Sequence, residues 1–300
     1  MILVTGGFGF IGSNIIRNLN KRGFNNIIVV DDLTNGHKFR NLVDCKFETF
    51  IDKDDTFTTS KIDWSKLTYI FHEGAISSTT EWNGKLVMKD NLEYSEKLLA
   101  KAMEYEIKFS YASSASVYGD TGNFKEDGPK NPLNLYAYSK LLFDNKVEDI
   151  INKDWYNKSP YVIQGYRYFN VYGSGEDHKN SQASPIHQFS KQAIQNKEIK
   201  VFKGSENFIR DFVCIDDIVI LKIEMLDRNI SGIFNVGTNR PISFMDVAKL
   251  ISNKTGARIT EIPFPDNLKG HYQTYTCADM DKIRQVGCPV HFRSVEEYLT

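Results

Sequence analysis

Tyr136 and Lys140 stand four residues apart in the stretch YAYSK. On a helix that spacing puts both side chains on one face. An ammonium beside a phenol can lower its pKa from ~10 toward neutral pH. A phenol so tuned can take a hydroxyl proton while hydride leaves the same carbon for a nicotinamide. Tyr138, two residues along, faces elsewhere and reads as an ordinary aromatic. Upstream, YASSASVYG places Ser113, Ser114 and Ser116 at the end of an apolar run, where a hydroxyl can hydrogen-bond the reacting oxygen. A second cluster, TGGFGFIG, spans Thr5 to Gly12. Gly7, Gly9 and Gly12 give the dinucleotide spacing, and Gly6, Gly9 and Gly12 a wider one. Glycine serves where the chain turns sharply and backbone N–H groups approach a pyrophosphate. Asp31 and Asp32 follow about 20 residues later, where an acid would bind a ribose hydroxyl and favour NAD. Lys38 and Lys53 could instead neutralise a 2′-phosphate. Residue spacing leaves NAD and NADP both open.

The elements that must position these groups alternate in type. MILVT reads as a strand, FIGSNIIRNLNKRG as a helix ended by Gly23, and NNIIVVDD as a second strand. KLTYIFHEGA supplies a third strand, and residues 85–106 a long helix with Met88, Leu92, Leu99 and Met103 at helical spacing. IKFSYASS, a helix over 136–152 and PYVIQGYRYFNVYG follow as strand, helix, strand. Apolar runs alternating with helices predict a doubly wound, Rossmann-type α/β parallel sheet. Its carboxyl edge would carry both the glycine turn and the serines. The pattern loosens after residue 173. EDHKNSQ reads as a loop, 183–196 as a helix, and SVEEYLT as a helix start capped by Ser294. The expected organisation is a dinucleotide-binding domain over 1–173, to which segments near 211–240 return, and a smaller C-terminal α/β substrate-binding lobe over 174–300.

Composition narrows the function classes. With 300 residues, 41% hydrophobic and 25% charged, the chain is of ordinary globular make-up. A net charge of −1 carries no basic footprint, so a nucleic-acid partner is not expected. No apolar run approaches the ~18 residues of a membrane span, and the N-terminus has no basic region of a signal peptide. Cys45, Cys214, Cys277 and Cys288 are scattered, without metal-ligand spacing, and read as reduced thiols of a cytoplasmic protein. No metal site is expected.

TGGFGFIG, HEGA, SSASVYG, YAYSK and RYFNVYG, in this order, resemble the motifs of the extended short-chain dehydrogenase/reductases. HEGAISSTTEWNGK (72–85), RYFNVYGSGEDHK (167–179), FKGSENFIRDFV (202–213), GIFNVGT (232–238) and IPFPDNLKGHYQ (262–273) extend the resemblance to the heptose 6-epimerases within that family. Nearly the whole chain is covered. The resemblance implies an isomerase that takes an ADP-heptose, supplies lipopolysaccharide core synthesis, and forms a homo-oligomer (a pentamer by analogy). It implies Ser114, Tyr136 and Lys140 as the catalytic set and Lys179 as a second base. Implied cofactor contacts are Gly6, Gly9, Phe10, Ile11, Gly12, Asp31, Asp32, Lys38, Lys53, Glu73, Gly74, Ala75, Ile76, Ser77, Asp90, Asn91, Lys140, Val171 and Lys179, with NADP the family's usual dinucleotide. Implied substrate contacts are Ser114, Asn170, Ser181, His187, Phe202, Lys203, Gly204, Ser205, Arg210 and Tyr272. Arg210 could clamp a diphosphate through its guanidinium. Asp32 and Asp90 depart from the family pattern, which favours an uncharged residue and an asparagine there.

The chemistry is self-consistent. The hydrogen on a secondary alcohol carbon is not acidic, so inversion needs oxidation to a ketone and return of hydride to the opposite face. Each face then needs its own proton-transfer group. A UDP-hexose 4-epimerase shares the catalytic motifs but not EWNGK or the EDHK lysine. A 4,6-dehydratase would want an acidic pair where Ala115 and Ser116 follow Ser114. A dinucleotide sensor would have no use for the Tyr136/Lys140 pair.

Overall fold

The computed structural model describes residues 1–265 and 274–299, so Tyr272 lies outside the described residues. Two compact units emerge. The first comprises Met1–Ser114, Asn134–Arg167 and Val219–Phe234; the second comprises Ala115–Leu133, Tyr168–Ile218 and the chain from Asn235. The sequence reading places a boundary after residue 173 with a return near 211–240; the chain passes between the units five times, and Val219–Phe234 is one of the segments of the first.

The strands in chain order are β1 (Ile2–Thr5), β2 (Ile27–Asp31), β3 (Thr49–Asp52), β4 (Tyr69–His72), β5 (Lys108–Ser114), β6 (Ile163–Tyr168) and β7 (Asn170–Tyr172). Then come β8 (Glu198–Phe202), β9 (Ile209–Arg210), β10 (Phe212–Cys214), β11 (Gly232–Val236), β12 (Ile242–Ser243) and β13 (Arg258–Ile262). The helices are α1 (Phe10–Lys21), α2 (Gly84–Val87), α3 (Tyr94–Glu104), α4 (Leu135–Ile151), α5 (Pro185–Asn196), α6 (Ile215–Asp227), α7 (Phe244–Thr255), α8 (Asp281–Gln285) and α9 (Val295–Leu299).

A seven-stranded sheet in the order β11-β6-β5-β4-β1-β2-β3 frames the first unit. β1 pairs in parallel with both β2 and β4, β2 with β3, and β4 with β5. Every residue of β1 and β2 is buried, as strands covered on both faces must be. Leu3, Ile28, Ile70, Leu98, Phe109, Phe143 and Ile163 belong to one apolar core. α1 ends as the sequence predicted: Gly23 takes a positive φ of 88°, and the Phe24 N–H donates to the Leu19 carbonyl at 2.9 Å. β3 was not anticipated, because TFID mixes polar and apolar residues on an exposed edge.

The expected helix over 85–106 is not continuous. α2 gives way to a π-helical segment, Met88–Glu93, before α3 begins. The π turn holds Asn91, whose side chain bonds outside its own helix. Likewise the strand expected over 160–173 is two strands, β6 and β7, that enter different sheets.

The second unit holds three two-stranded sheets: β7 with β10, β8 with β13, and β9 with β12. Tyr172, Phe189, Val201, Phe212, Phe244 and Ile251 form its core. α7 starts on Ser243, whose side chain accepts the Asp246 N–H, and ends at Gly256 with φ of 70°. Ser294 caps α9 as expected, in a reciprocal arrangement. Its hydroxyl accepts the Glu297 N–H, and the Glu297 carboxylate accepts the Ser294 N–H. Among the described residues, no helix is long and apolar enough to cross a membrane.

Candidate active site

The glycine turn is shaped by backbone contact. Gly6 has φ of 64°, and a Cβ on it would stand 2.6 Å from the Gly74 nitrogen. A Cβ on Gly12 would lie 2.2 Å from the Gly6 carbonyl oxygen. Neither position accepts a side chain without moving backbone. α1 begins at Gly9 without a side-chain cap and with no acid in its first turn, so its positive end is open to an anion. A cavity of about 250 Å³ is lined by predicted cofactor residues: Gly6, Asp31, Asp32, Lys38, Lys53, Gly74, Ala75, Ile76 and Asp90, joined by Thr5, Val30 and Tyr94. A narrow glycine cradle, an uncapped helix end and acids at the end of β2 suit a dinucleotide.

Asp31 is nearly buried and fully engaged. One oxygen accepts the Phe8 N–H at 2.8 Å; the other accepts the Asp32 N–H at 2.7 Å and the Lys38 ammonium at 3.0 Å. Lys53 bonds Asp90 at 2.9 Å and Asp54 at 3.4 Å. Burial pulls Lys53 down, but its bonds and charge interactions with Asp90 and Asp54 together outweigh this and hold its ammonium above the ordinary range. Asp32 is lowered by hydrogen bonds from Thr34, helped by Lys38 and Lys53.

The structure brings Ser114, Tyr136 and Lys140 together at the carboxyl end of β5. α4 starts at Asn134, whose side chain accepts the Ala137 N–H, so Tyr136 falls in the first turn with Lys140 one turn later. The Lys140 Nζ donates to the Ala112 carbonyl at 2.7 Å and lies 6.0 Å from the centre of the Tyr136 ring. Burial lowers this ammonium to about 8, against the opposing charges of Glu73 and Asp144. Tyr136 departs from expectation: burial pushes its phenol up, and a hydrogen bond with Ser114 only partly opposes this. The protein's own groups therefore do not lower Tyr136.

Several residues that sequence reading passed over fix this arrangement. Asp144, one turn beyond Lys140, accepts the Tyr111 hydroxyl at 2.9 Å, the Ser113 hydroxyl at 2.9 Å and the Arg167 Nε at 2.7 Å. Both Asp144 and Arg167 are fully buried. This ties α4 to β5 and β6. A second chain of bonds starts at Thr5 in the cavity lining. The Thr5 hydroxyl meets His72 Nδ1 at 2.6 Å, and His72 Nε2 meets the Ser95 hydroxyl at 2.7 Å. Ser95 donates onward to the Asn91 carbonyl. Burial, then the charges of Lys140 and Lys222, keep His72 well below its ordinary pKa and hence neutral. Ser95 uses its proton on Asn91, so Nε2 carries the ring proton and Nδ1 accepts from Thr5. The Asn91 side chain accepts the Ile76 N–H at 2.8 Å and donates to the Ile76 carbonyl and the Ser139 hydroxyl, both at 3.0 Å. Ser139 in turn donates to the Tyr136 carbonyl at 2.7 Å. Predicted as a cofactor contact, Asn91 links the loop after β4 to the catalytic helix. Glu73, also predicted to face the cofactor, is buried against Lys222. Ser77 is exposed, and Phe10, Ile11 and Gly9 lie in the first turn of α1.

The second unit carries the remaining predicted residues. Lys179 sits in a 3₁₀ segment, Asp177–Gln182, where the sequence suggested a plain loop. Its ammonium stands 3.8 Å from the fully buried Glu176 carboxylate. Burial lowers Lys179, against the charge of Glu176. Glu176 also accepts the Gly173 N–H at 3.1 Å and the Ser184 N–H and hydroxyl at 2.6 and 2.8 Å. His187 Nε2 lies 3.3 Å from Asp177, and Ser181 is exposed. Asn170 and Val171 are in β7, partly buried. Arg210 is 6% exposed, stacked 5.7 Å from the centre of the Phe244 ring, with a bond to the Ile209 carbonyl at 3.0 Å. Phe202, Lys203, Gly204 and Ser205 form the turn after β8, closed by Ser205 donating to the Phe202 carbonyl. All four cysteines are free thiols.

Three solved structures resemble this one over 99% of its length. ADP-L-glycero-D-manno-heptose-6-epimerase from Helicobacter pylori is 31% identical, with a TM-score of 0.84 and 93% of that chain covered. UDP-glucose 4-epimerase from Thermotoga maritima, solved with UDP-glucose, is 27% identical with a TM-score of 0.80 and 96% covered. UDP-N-acetylglucosamine 4-epimerase from Methanobrevibacter ruminantium is 24% identical with a TM-score of 0.83 and 95% covered, a likeness of fold. A family model matches residues 2–237, which include the glycine turn, the cavity, the Ser/Tyr/Lys set and Lys179. The chain belongs to the NAD dependent epimerase/dehydratase family.

Proposed function

We propose that the protein interconverts ADP-D-glycero-D-manno-heptose and ADP-L-glycero-D-manno-heptose by inverting C6 through a transient ketone, in the supply of lipopolysaccharide core heptose. The observation that carries this reading is Lys179: a lysine lowered by burial and set against a buried carboxylate can exchange a proton. A solvated loop lysine cannot do so at neutral pH. The 31% identity to the Helicobacter pylori heptose epimerase across 99% of the chain supports it.

A nicotinamide dinucleotide held by the glycine turn and the Asp31 cavity supplies reversible hydride storage. The chain's residues do the rest. Tyr136 takes the C6 hydroxyl proton as hydride leaves that carbon, and Ser114 donates a hydrogen bond to the oxygen. Before the transfer Lys140 holds positive charge beside the Tyr136 phenolate, which becomes a phenol on taking the proton. Because Tyr136 is raised by burial, its deprotonation depends on cationic charge near the ring when the site is filled. Lys179, as the ammonium, gives a proton to the oxygen when hydride re-enters the opposite face of the ketone, and the Tyr136 phenol and the Lys179 amine then exchange protons with solvent. Arg210 and the turn from Phe202 to Ser205 hold the nucleotide sugar.

The resemblance pointed to NADP, and the cavity's charges favour NAD. Asp31, Asp32 and Asp90 line it together with Lys38 and Lys53. Lys38 is bonded to Asp31 and Lys53 to Asp90, so neither cation is available to a 2′-phosphate without breaking an ion pair. Fluorescence titrations with both dinucleotides check this; tighter NADP would reverse it.

The function is tested by incubating purified protein with ADP-D-glycero-D-manno-heptose and following the C6 proton by NMR, with UDP-galactose in parallel. Turnover of the heptose alone, lost in Tyr136→Phe, is expected. Turnover of UDP-galactose alone would make the enzyme a hexose 4-epimerase and remove Lys179 from the mechanism. Dinucleotide binding without turnover of either sugar would favour a sensor.

A further inference from the structure

Lys222 lies on α6 with its side chain fully buried, ion-paired to Glu73, whose side chain is 2% exposed. The same ammonium is 5.0 Å from the centre of the Tyr166 ring and 6.0 Å from that of Phe71. A buried ion pair is rarely worth more to stability than apolar residues of the same volume. One so close to a reactive lysine calls for another role, and the sheet register supplies it. β4 and β5 are parallel, with His72 opposite Tyr111. Glu73 therefore follows β4 at the level where Ala112 follows Tyr111, and the Ala112 carbonyl holds the Lys140 Nζ at 2.7 Å.

We propose that Glu73, anchored by Lys222, is a positioning residue that keeps the Lys140 ammonium charged beside Tyr136. The carboxylate supplies negative charge behind Lys140. Lys222 supplies the cation that pairs with this buried carboxylate. The other groups facing Lys140 do not replace this pair. On its own helix, Tyr136 is a neutral phenol and Asp144 is bonded to Arg167 of β6. His72 of β4 is neutral, and Lys222 itself opposes the charge on Lys140. Glu73 is the largest group acting against the burial that lowers Lys140. The inference concerns Lys140 alone and holds whichever nucleotide sugar is turned over.

Protein labelled with ¹³C at the lysine ε carbon and titrated by NMR tests it, with the Lys140 resonance identified by its loss in Lys140→Arg. The midpoint is expected near 8 in the unaltered protein. In Glu73→Gln it should fall by about one pH unit, and in Glu73→Gln/Lys222→Met it should lie between the two, because the opposing ammonium has gone. A midpoint unchanged in both variants would overturn the proposal, as would one in the double variant no higher than in Glu73→Gln. Should Glu73→Gln fail to fold, the double variant decides against the unaltered protein: a downward move supports the proposal and none refutes it. Far-UV circular dichroism controls for folding in each case.

Discussion

Each unit is pinned by a fully buried aspartate, and the two are held in opposite ways. Asp144, in the first unit, takes its bonds from side chains: Tyr111, Ser113 and the Arg167 guanidinium. Asp211, in the second, takes the N–H groups of Thr238, Asn239 and Ala278 at 2.8–2.9 Å, plus the Thr238 hydroxyl at 2.6 Å. Asp144 joins a helix to two strands and has a cation beside it. Asp211 gathers loop backbone, and burial pushes its carboxyl up against those bonds. The first arrangement can be redesigned because its partners are side chains. The second cannot, since backbone N–H groups are not removable by substitution. The unit carrying the Ser/Tyr/Lys set is thus braced by regular elements, and the other by one acid that organises loops.

That contrast can be broken or sharpened experimentally. The largest effect should come from Tyr136→Phe, which removes the proton-transfer group while leaving both aspartates in place. Turnover should fall by roughly 10³-fold or more with an unchanged urea midpoint. Next, Arg167→Met strands the Asp144 charge and should cost about 3–5 kcal/mol in urea unfolding. Adding Asp144→Asn should recover part of that by removing the charge, although Tyr111 and Ser113 donate to different oxygens of Asp144 and the amide oxygen keeps only one of the two bonds. Asp211→Asn should cost about 1–3 kcal/mol, because its amide nitrogen meets backbone donors. A second-site side-chain change that restored stability to Asp211→Asn would erase the distinction between the two aspartates.

The smallest effect has the opposite sign. Lys140 titrates near 8 in the folded protein, against 10.5 ordinarily. Between these values the unfolded chain binds a proton that the folded one does not, so this group's contribution to stability rises with pH across that window. Below about pH 8 the full cost of the buried ammonium is felt. Lys140→Met should therefore stabilise the protein by about 1–3 kcal/mol at pH 7, a gain that fades toward pH 10.5. A destabilised Lys140→Met at pH 7 would mean that the bond to the Ala112 carbonyl outweighs burial.

The parts legible in sequence are those whose partners are near in the chain. Gly6, Gly9 and Gly12 signal themselves because the turn is made within eight residues, Thr5 to Gly12. Tyr136 and Lys140 do so because helical periodicity alone aligns them. The braces were not legible. Asp144 meets Arg167 23 positions away, His72 meets Thr5 67 away, and Glu73 meets Lys222 from a different strand–helix pair. Asp144 at the next turn after Lys140 was the available hint. The π turn escaped because Met88, Leu92, Leu99 and Met103 keep helical spacing through it. Within that turn Asn91 bonds Ile76 and Ser139, partners outside its own helix. The Tyr136 phenol was misjudged because spacing reveals a neighbouring ammonium but not the burial that outweighs it.

The order of strands in the large sheet also bears on how the chain is made. β11 flanks β6 at one edge, and it arrives after residue 231. A nascent chain with about 170 residues exposed already holds the glycine turn, the cavity lining and Tyr136. It lacks β11 and the cation for Glu73. Such an intermediate leaves the edge of β6 open to foreign strands and lacks the ion pair between Glu73 and Lys222. The segment 219–234, which carries Lys222 and the start of β11, is thus the last part of the first unit to be made.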